Sequence, residues 1–296
     1  QSQAGQLAYF YQVNGVNGNM NFFNNPYTLG ANYINNGSDS SYNSLQVDVR
    51  RRTAAGLTLQ GNYTWSKVLS NSTGDTQFNF EPLLDNDNPG AERAPAPFDL
   101  RHVFKANAVW DIPVGPGHRF NPHRLGRVVG GWSLGSVMTW QSGTPFTITT
   151  GARGTLNRGG RSTYNTATAL VSGSALADIV SYRMTGNGPY MVASSAIGSD
   201  GRGTAADGSR MFTGQAFANP GAGSIGALQR RMFYGPNAFG QDLSISKEVK
   251  LFERHTLLFR ADAQNVWNHP TFYMYDSASG LSITNINSTT FGKLTS

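Results

Sequence analysis

The stretch that decides the fold covers residues 254–272 and reads RHTLLFRADAQNVWNHPTF. Its residues alternate between apolar and polar, which is typical of a β-strand with two unlike faces. The apolar face carries Leu257, Phe259, Ala261, Ala263 and Trp267, and the polar face carries Thr256, Arg260, Asp262 and Gln264, with Leu258 and Val266 as exceptions. A strand of a soluble sandwich alternates in the same way. The length suits a tilted membrane span of about 9–11 residues, and Trp267 is placed where an interfacial aromatic would lie, so the stretch favours a transmembrane β-strand.

The chain is poor in charged residues and in cysteine. Its 296 residues are 39% hydrophobic and 14% charged, and they include 35 Gly and no Cys. Soluble domains average about 25% charged residues, and the polar uncharged residues that replace them here favour strands and turns over helices. No run of about 18 apolar residues occurs, which argues against a helical membrane span. The net charge of +6 is spread along the chain, and its densest run, Arg50-Arg51-Arg52, lies at a strand end, which argues against nucleic-acid binding.

The same alternation recurs along the chain and predicts about seven strands. They cover residues 6–13, 42–50, 57–66, 100–112, 132–141, 239–251 and the stretch quoted above. The connections from residue 50 onward alternate in length, being short, long, medium, long and short. That alternation predicts an all-β, antiparallel up-and-down barrel wall with short periplasmic turns and long extracellular loops. Residues 151–238 are predicted to be the longest of these loops, without regular structure.

Aromatic residues lie near the ends of the predicted strands, on the apolar faces. They are Tyr63, Trp65, Trp110, Trp132, Trp140 and Trp267. A soluble core would place tryptophan in the middle of strands, where burial is deepest, whereas a bilayer interface collects it in girdles. These residues therefore predict a membrane-interface girdle. A β-sandwich or propeller with chance placement of tryptophan is the alternative that the pattern leaves open.

Five segments, in this order, resemble the C-terminal barrel half of TonB-dependent outer-membrane receptors, and most closely the Oar-like subgroup. They are SYNSLQVDVRRR (41–52), GLTLQGNYTWSKVL (56–69), ERAPAPFDLRHVFKANAVWDIP (92–113), GGWSLGSVMTWQSGTPFTI (130–148) and FGQDLSISKEVKLFERHTLLFRADAQNVWNHPTF (239–272). The likeness extends over roughly residues 42–150 and 212–294. It implies a larger, 22-stranded barrel that encloses a plug, with residues 1–296 as the C-terminal portion of the barrel domain. We expect a fragment that lacks the plug and the energy-coupling box and cannot close by itself.

The resemblance also implies a function and a location. It implies energy-coupled uptake of a large or scarce substrate through the outer membrane of a Gram-negative cell. The implied partners are outer-membrane lipid, an inner-membrane energy-coupling complex that contacts an N-terminal region, and an unidentified extracellular substrate. Two alternatives stay open: a surface adhesin or structural outer-membrane protein, and a soluble β-rich carbohydrate-binding module.

Charged residues on the polar faces are predicted to face the lumen of the barrel. They are Asp48, Arg50, Lys105, Asp242, Glu248, Arg260 and Asp262. Cross-strand ion pairs and plug contacts are the favoured role of such charges, above direct contact with a substrate. In the family that the chain resembles, substrate recognition belongs largely to the external loops and the plug apex, and the loops correspond here to residues 71–97 and 151–238.

The sequence contains no complete motif for catalysis or for metal binding. His118 and His123 have no convergent partner ligands in the sequence. Residues 85–90 resemble the start of a calcium loop, to which Asp75, Glu81 and Glu92 could add ligands, but the glutamate at the twelfth position is missing and turn chemistry explains the run. No Ser/His/Asp set and no phosphate-binding loop is present. We therefore predict no enzymatic activity, no cofactor and no resident metal.

Overall fold

The computed structural model describes most of the chain from residue 36 onward. The described residues are 36–71, 83–85, 88–116, 118, 120–122, 126–151, 165–206, 208–221, 224–252, 255–272, 274 and 282–294. The strand predicted over residues 6–13 lies outside them.

Strands dominate the described residues. In chain order they are β1 (Ser40–Arg52), β2 (Leu57–Ser70), β3 (Ala94–Pro95), β4 (His102–Asp111), β5 (Trp132–Gln141), β6 (Pro145–Phe146), β7 (Thr168–Ala169), β8 (Arg183–Thr185), β9 (Gly188–Tyr190), β10 (Phe217–Ala218), β11 (Phe233–Tyr234), β12 (Ala238–Phe252) and β13 (His255–Ala263). The short helices are α1 (Gly126–Val129) and α2 (Gly173–Ile179), and single 3₁₀ turns cover Pro89–Glu92, Ser194–Ala196 and Ser282–Thr284.

The six long strands form one antiparallel sheet, which we call the wall. Its order is β1-β2-β4-β5-β12-β13, and the short strand β3 extends the pairing of β2. Each long strand pairs with the next long strand along the chain, so the predicted up-and-down order is confirmed. Among the described residues the wall is an open sheet with edges at β1 and β13 and does not close into a barrel.

The turn between β1 and β2 shows why the chain reverses so sharply there. The amide of Thr53 donates to the carbonyl of Leu57 at 2.8 Å and closes the turn. Gly56 has a φ of +79°, and a Cβ at this position would lie 2.6 Å from the carbonyl oxygen of Asp111 on β4. Only glycine combines this left-handed backbone with such a close approach.

The strands of the wall are staggered as in a membrane barrel. A single row of paired residues runs from Arg51 through Leu59, Ala108, Ser136 and Leu243 to Ala263. It starts one residue from the short-turn end of β1 and finishes eight residues from the short-turn end of β13. An offset of seven residues over five strand pairs, at about 3.4 Å per residue and about 4.8 Å per strand, corresponds to a tilt of about 45°. That tilt is in the range of transmembrane barrels.

The residues between β5 and β12 pack into a folded body with its own hydrophobic core. This body, the loop unit, comprises the described residues of 142–237 together with 282–294. Its core includes Phe146, Ile148, Leu176, Val192, Phe217, Leu228, Ile286 and Phe291. The rings of Phe217 and Phe291 meet edge to face, with centroids 5.7 Å apart. The described part of 151–238 thus has a core and a few short regular elements where the sequence predicted an irregular segment, and its position as an extracellular loop stays a prediction.

Truncation of Phe217 should open the loop unit and leave the wall intact. We expect Phe217→Ala to destabilise the loop unit by about 3–5 kcal/mol, because the mutation leaves a cavity in a fully buried site. Hydrogen–deuterium exchange of the purified full-length protein in detergent would show faster exchange in residues 165–237 and unchanged exchange in the wall. Met184→Ala is the control, because Met184 is 67% exposed; equal effects of the two substitutions would contradict the core assignment.

Candidate membrane wall and ion-pair cluster

The register of the wall separates its side chains into an apolar and a polar face. Directly paired residues point to the same side of a sheet. Tyr63 pairs with Phe104 and Leu59 pairs with Ala108 on one face, while Asn62 pairs with Lys105 on the other. The alternation that the sequence shows within each strand is thus maintained across all six strands.

The described protein does not cover the apolar face of the wall. The buried hydrophobic residues lie outside the six long strands, mostly in the loop unit. Val49 is 62% exposed and Phe259 is 57% exposed, although both belong to the apolar face. A continuous apolar surface of this extent is far larger than the patches that water-soluble monomers expose, so its natural solvent is the hydrocarbon of a bilayer.

Aromatic side chains form a belt near each end of this face. At the end of the long connections, the register places Tyr63, Phe104, Trp140 and Phe239 side by side on four neighbouring strands, with Trp65 one row further out. Trp110 and Trp132 lie at the end of the short connections. Trp132 and Trp140 are eight residues apart on β5, which is about 27 Å along the strand and about 20 Å along the bilayer normal at the estimated tilt. Membrane barrels have apolar bands of about 25 Å between their aromatic girdles.

Trp267 lies beyond its predicted strand. β13 ends at Ala263, and Trp267 belongs to the turn that follows, where its indole Nε1 donates to the side-chain oxygen of Gln241 at 2.6 Å. Asn265 in this turn has a φ of +44°, and its amide donates to the Asp242 carboxylate at 2.9 Å. The strand therefore stops four residues before the tryptophan, and a side-chain bond keeps Trp267 at this end of the wall.

The charges predicted to face the lumen lie on the polar face but do not meet in one site. Arg50 pairs with Asp48 at 2.8 Å on the edge strand β1. Arg260 pairs with Asp262 at 2.8 Å on the opposite edge strand β13. Exposed pairs of this kind contribute about 0–1 kcal/mol.

The other predicted lumen charges make separate local contacts. Lys105 lies opposite Asn62 and Thr139, Glu248 lies opposite Leu258, and Asp242 accepts the Asn265 amide. The seven charges are thus distributed over the wall, and their role as lumen residues stays a prediction.

Lys247 is a charged residue on the apolar face that sequence reasoning missed. It pairs with Trp132 on β5 and with Phe259 on β13, and it is only 8% exposed. Its ammonium group donates to the carbonyl of Gly130 and lies 5.5 Å from the centroid of the Trp132 ring. The aliphatic stem therefore stays on the apolar surface while the charge reaches the polar backbone below the wall. A break in the alternation of β12 was the only sequence signal for this residue.

An ion pair between Glu92 and Arg230 joins the long connection after β2 to the loop unit. Their charged atoms are 2.8 Å apart, and the side chains are 0% and 4% exposed. Glu92 also accepts a hydrogen bond from the amide of Leu84, and the neighbouring Arg231 donates to the carbonyl of Pro95. Glu92 is therefore engaged in an ion pair, which removes it from the ligands that the calcium hypothesis needs.

A second group of buried polar atoms holds the same loops to the end of the wall. Asp99, which is fully buried, accepts the amide of Val68 at 2.7 Å and the hydroxyl of Tyr234 at 2.9 Å. Arg101 donates to the Tyr234 oxygen at 2.7 Å. Burial raises the pKa of the Tyr234 hydroxyl, and Asp99 acts in the same direction against the opposing effect of Arg101, so the hydroxyl stays a neutral donor. We call Glu92, Asp99, Arg101, Arg230 and Tyr234 the ion-pair cluster.

A crevice of about 750 Å³ lies between the loop unit and the aromatic belt next to it. Trp140 and Phe239 of the wall line one side, and Tyr182 of the loop unit lines the other. Tyr182 stacks on Phe272 at a centroid distance of 6.2 Å, and Phe239 meets His269 edge to face at 6.0 Å. Aromatic walls with a few polar groups suit an amphipathic or polar-ring ligand.

A tilted antiparallel wall with one uncovered apolar face, two aromatic belts and an opposite polar face is typical of β-barrel membrane proteins. The model of the outer membrane beta barrel domain family matches residues 3–296, and the chain belongs to that family. Comparison with curated proteins and with solved structures found no significant match. The chain is therefore an outer-membrane protein, which confirms the predicted location. The alternative of a soluble carbohydrate-binding module was wrong.

None of the helices among the described residues is long and apolar enough to cross a bilayer. No group of three or more His, Asp or Glu side chains in the described part of the chain could hold a metal ion. His118 is among these residues, whereas Asp75, Glu81 and His123 lie outside them.

The assignment of the two faces can be tested with one arginine on each. Leu243→Arg places a charge on the apolar face in the interior of β12 and should destabilise the folded protein by about 2–4 kcal/mol, because the charge faces hydrocarbon. Ser244→Arg places the same charge on the polar face opposite Asp262 and should change the stability little. Urea titration of the full-length protein in liposomes, followed by heat-modifiable migration, measures both. Equal sensitivity of the two variants would contradict the assignment.

Removal of one partner of the buried pair should loosen the loops. Glu92→Ala removes the carboxylate that forms the ion pair with the buried Arg230 guanidinium, and we expect a loss of about 3–5 kcal/mol for docking of the loop unit, visible as faster hydrogen exchange around residues 83–101 and 228–234. Asp200→Asn is the control, because Asp200 and Arg202 form an exposed pair at 3.6 Å. If Glu92→Ala exchanges as slowly as the control, the pair does not hold the loops.

Proposed function

We propose that this chain forms part of the wall of a TonB-dependent, Oar-like receptor that takes up a large or scarce substrate. The observation that carries the proposal is the folded loop unit, which buried charges of the ion-pair cluster hold at one end of the wall. Flexible loops would have to be ordered when a ligand binds, whereas a preformed surface avoids that entropic cost. A receptor for scarce molecules needs this kind of preorganised capture surface.

The polarity of the wall supports the same proposal. Its polar face carries Asp48, Arg50, Lys105, Asp242, Glu248, Arg260 and Asp262 between Asn, Ser and Thr, and a face of this kind would suit a hydrated lumen that holds a plug. In such a receptor the long connections are extracellular, and the crevice beside Tyr182 and Phe272 would be open to ligands from outside. The energy would come from an inner-membrane energy-coupling complex.

A surface adhesin is the second candidate. Large apolar side chains are exposed on the loop unit, among them Met184, Met211 and Tyr182. Exposed apolar groups on a rigid surface also suit a protein or matrix partner, and adhesion needs no energy coupling. The two candidates therefore differ in their dependence on the inner membrane.

A genetic comparison separates uptake from adhesion. In the native host, the growth of strains lacking the receptor gene, the energy-coupling gene or both is compared in nutrient-limited medium. Uptake predicts that the double deletion grows no worse than either single deletion, because both genes serve one step. Attachment to a surface that fails without the receptor but not without energy coupling would overturn the uptake proposal and support the adhesin.

Substitutions in the crevice test whether this part of the chain recognises the substrate. The double variant Tyr182→Ala/Phe272→Ala removes the stacked pair and should reduce growth to the level of the receptor deletion, while heat-modifiable migration shows an intact barrel. Met211→Ala is the matched control, because Met211 is exposed on the loop unit and does not line the crevice. Normal growth of the double variant would exclude the crevice as the recognition site.

A further inference from the structure

A groove runs across the apolar face of the wall. It has a volume of about 480 Å³. Its floor consists of small residues that neighbour one another across β2, β4 and β5, namely Gly61, Ala106, Ala108 and Ser136. A Cβ at Gly61 would meet no atom nearer than 3.9 Å, the edge of the Phe104 ring. The small side chains thus leave open space on the floor of the groove, and the larger Tyr63 and Phe104 lie beside it.

Arg51 lines the same groove at the short-turn end of β1. It pairs with Leu59, which places it on the apolar face, and it is the next-to-last residue of its strand. None of the ion pairs among the described residues involves Arg51, whereas the adjacent Arg50 is paired with Asp48 on the polar face. A guanidinium at the boundary of the bilayer, next to an apolar groove, offers a positive charge and a planar fork of N–H donors that can bind two oxygens of a tetrahedral phosphate group.

We propose that this groove binds one anionic glycerophospholipid, with an acyl chain along the small residues and its phosphate on Arg51. Arg51 lies one residue and Met138 six residues from the short-turn ends of their strands, so the groove spans about 12 Å along the bilayer normal at the estimated tilt. That depth lies within one leaflet, which is half of a hydrocarbon core of about 30 Å. The ligand is thus a lipid that enters from one side of the membrane.

The position of Arg51 at the short-turn end of the wall indicates which class of lipid it can reach. Short turns of outer-membrane barrels lie on the periplasmic side, so Arg51 is at the leaflet of glycerophospholipids rather than that of lipopolysaccharide. A zwitterionic lipid would place its own cation beside Arg51, whereas phosphatidylglycerol offers the phosphate alone. The proposed lipid site depends on the family and on the geometry of the wall and does not depend on substrate uptake. Failure of either proposal would therefore leave the other unaffected.

Native mass spectrometry of the full-length protein measures this binding directly. The protein is purified from outer-membrane fractions, delipidated in detergent, and titrated with phosphatidylglycerol or phosphatidylcholine. We expect one tightly retained phosphatidylglycerol and about fivefold weaker retention of phosphatidylcholine, as about 1 kcal/mol per arginine predicts. Equal retention of the two lipids by the unmodified protein would overturn the role of Arg51.

Matched variants separate the headgroup from the acyl chain. Arg51→Gln should abolish the preference for phosphatidylglycerol, whereas Arg52→Gln, one residue further and on the other face, should keep it. Ala108→Phe fills the groove and should lose both lipids, whereas Ala261→Leu enlarges a residue of the same face outside the groove and should lose neither. Ala106→Leu replaces Ala108→Phe if heat-modifiable migration shows that the larger residue prevents folding. Unchanged retention in a folded groove variant would refute the site.

Discussion

The cross-strand register of the wall is the constraint on which the rest of the structure depends. Backbone hydrogen bonds pair each long strand with the next, and the period of two then places every paired residue on a common face. Because the register is continuous from β1 to β13, a shift of one residue in one strand would turn its apolar side chains to the polar face. The apolar face, the aromatic belts and the groove all follow from this one alignment.

The apolar side chains of the wall and those of the loop unit lie in different environments. The wall exposes its apolar side chains to lipid and is held by hydrogen bonds that lipid cannot replace. The loop unit buries Phe217, Phe291 and Ile286 in a core of its own, as a water-soluble domain does. The ion-pair cluster lies where the two meet, and its charges are costly to bury unless every partner is present. The docked arrangement pairs Arg230 with Glu92 and gives Asp99 the hydroxyl of Tyr234.

Polar side chains at the edges of the apolar face show how a membrane wall tolerates charge. Lys247 reaches the Gly130 carbonyl at the end of the short connections, and Arg51 lies at the same end without an ionic partner among the described residues. Long side chains at a bilayer boundary can extend to the polar region. Lys247 already donates a hydrogen bond to a backbone carbonyl. Arg51 forms no ion pair with the described residues, and for this reason Arg51, and not Lys247, is the candidate for binding an anionic ligand.

The sequence by itself determined the wall, because alternation is a local property of each strand. The six long strands, their up-and-down order and the two faces were all readable from runs such as 57–66 and 239–251. The loop unit was not readable, because its core combines Phe146, Phe217 and Phe291, which have no common period and lie far apart along the chain. Only the tertiary structure decided that Glu92 is paired with Arg230, that the strand before Trp267 ends at Ala263, and that small residues on three strands form one groove. Each of these depends on contacts between distant segments, which no local pattern encodes.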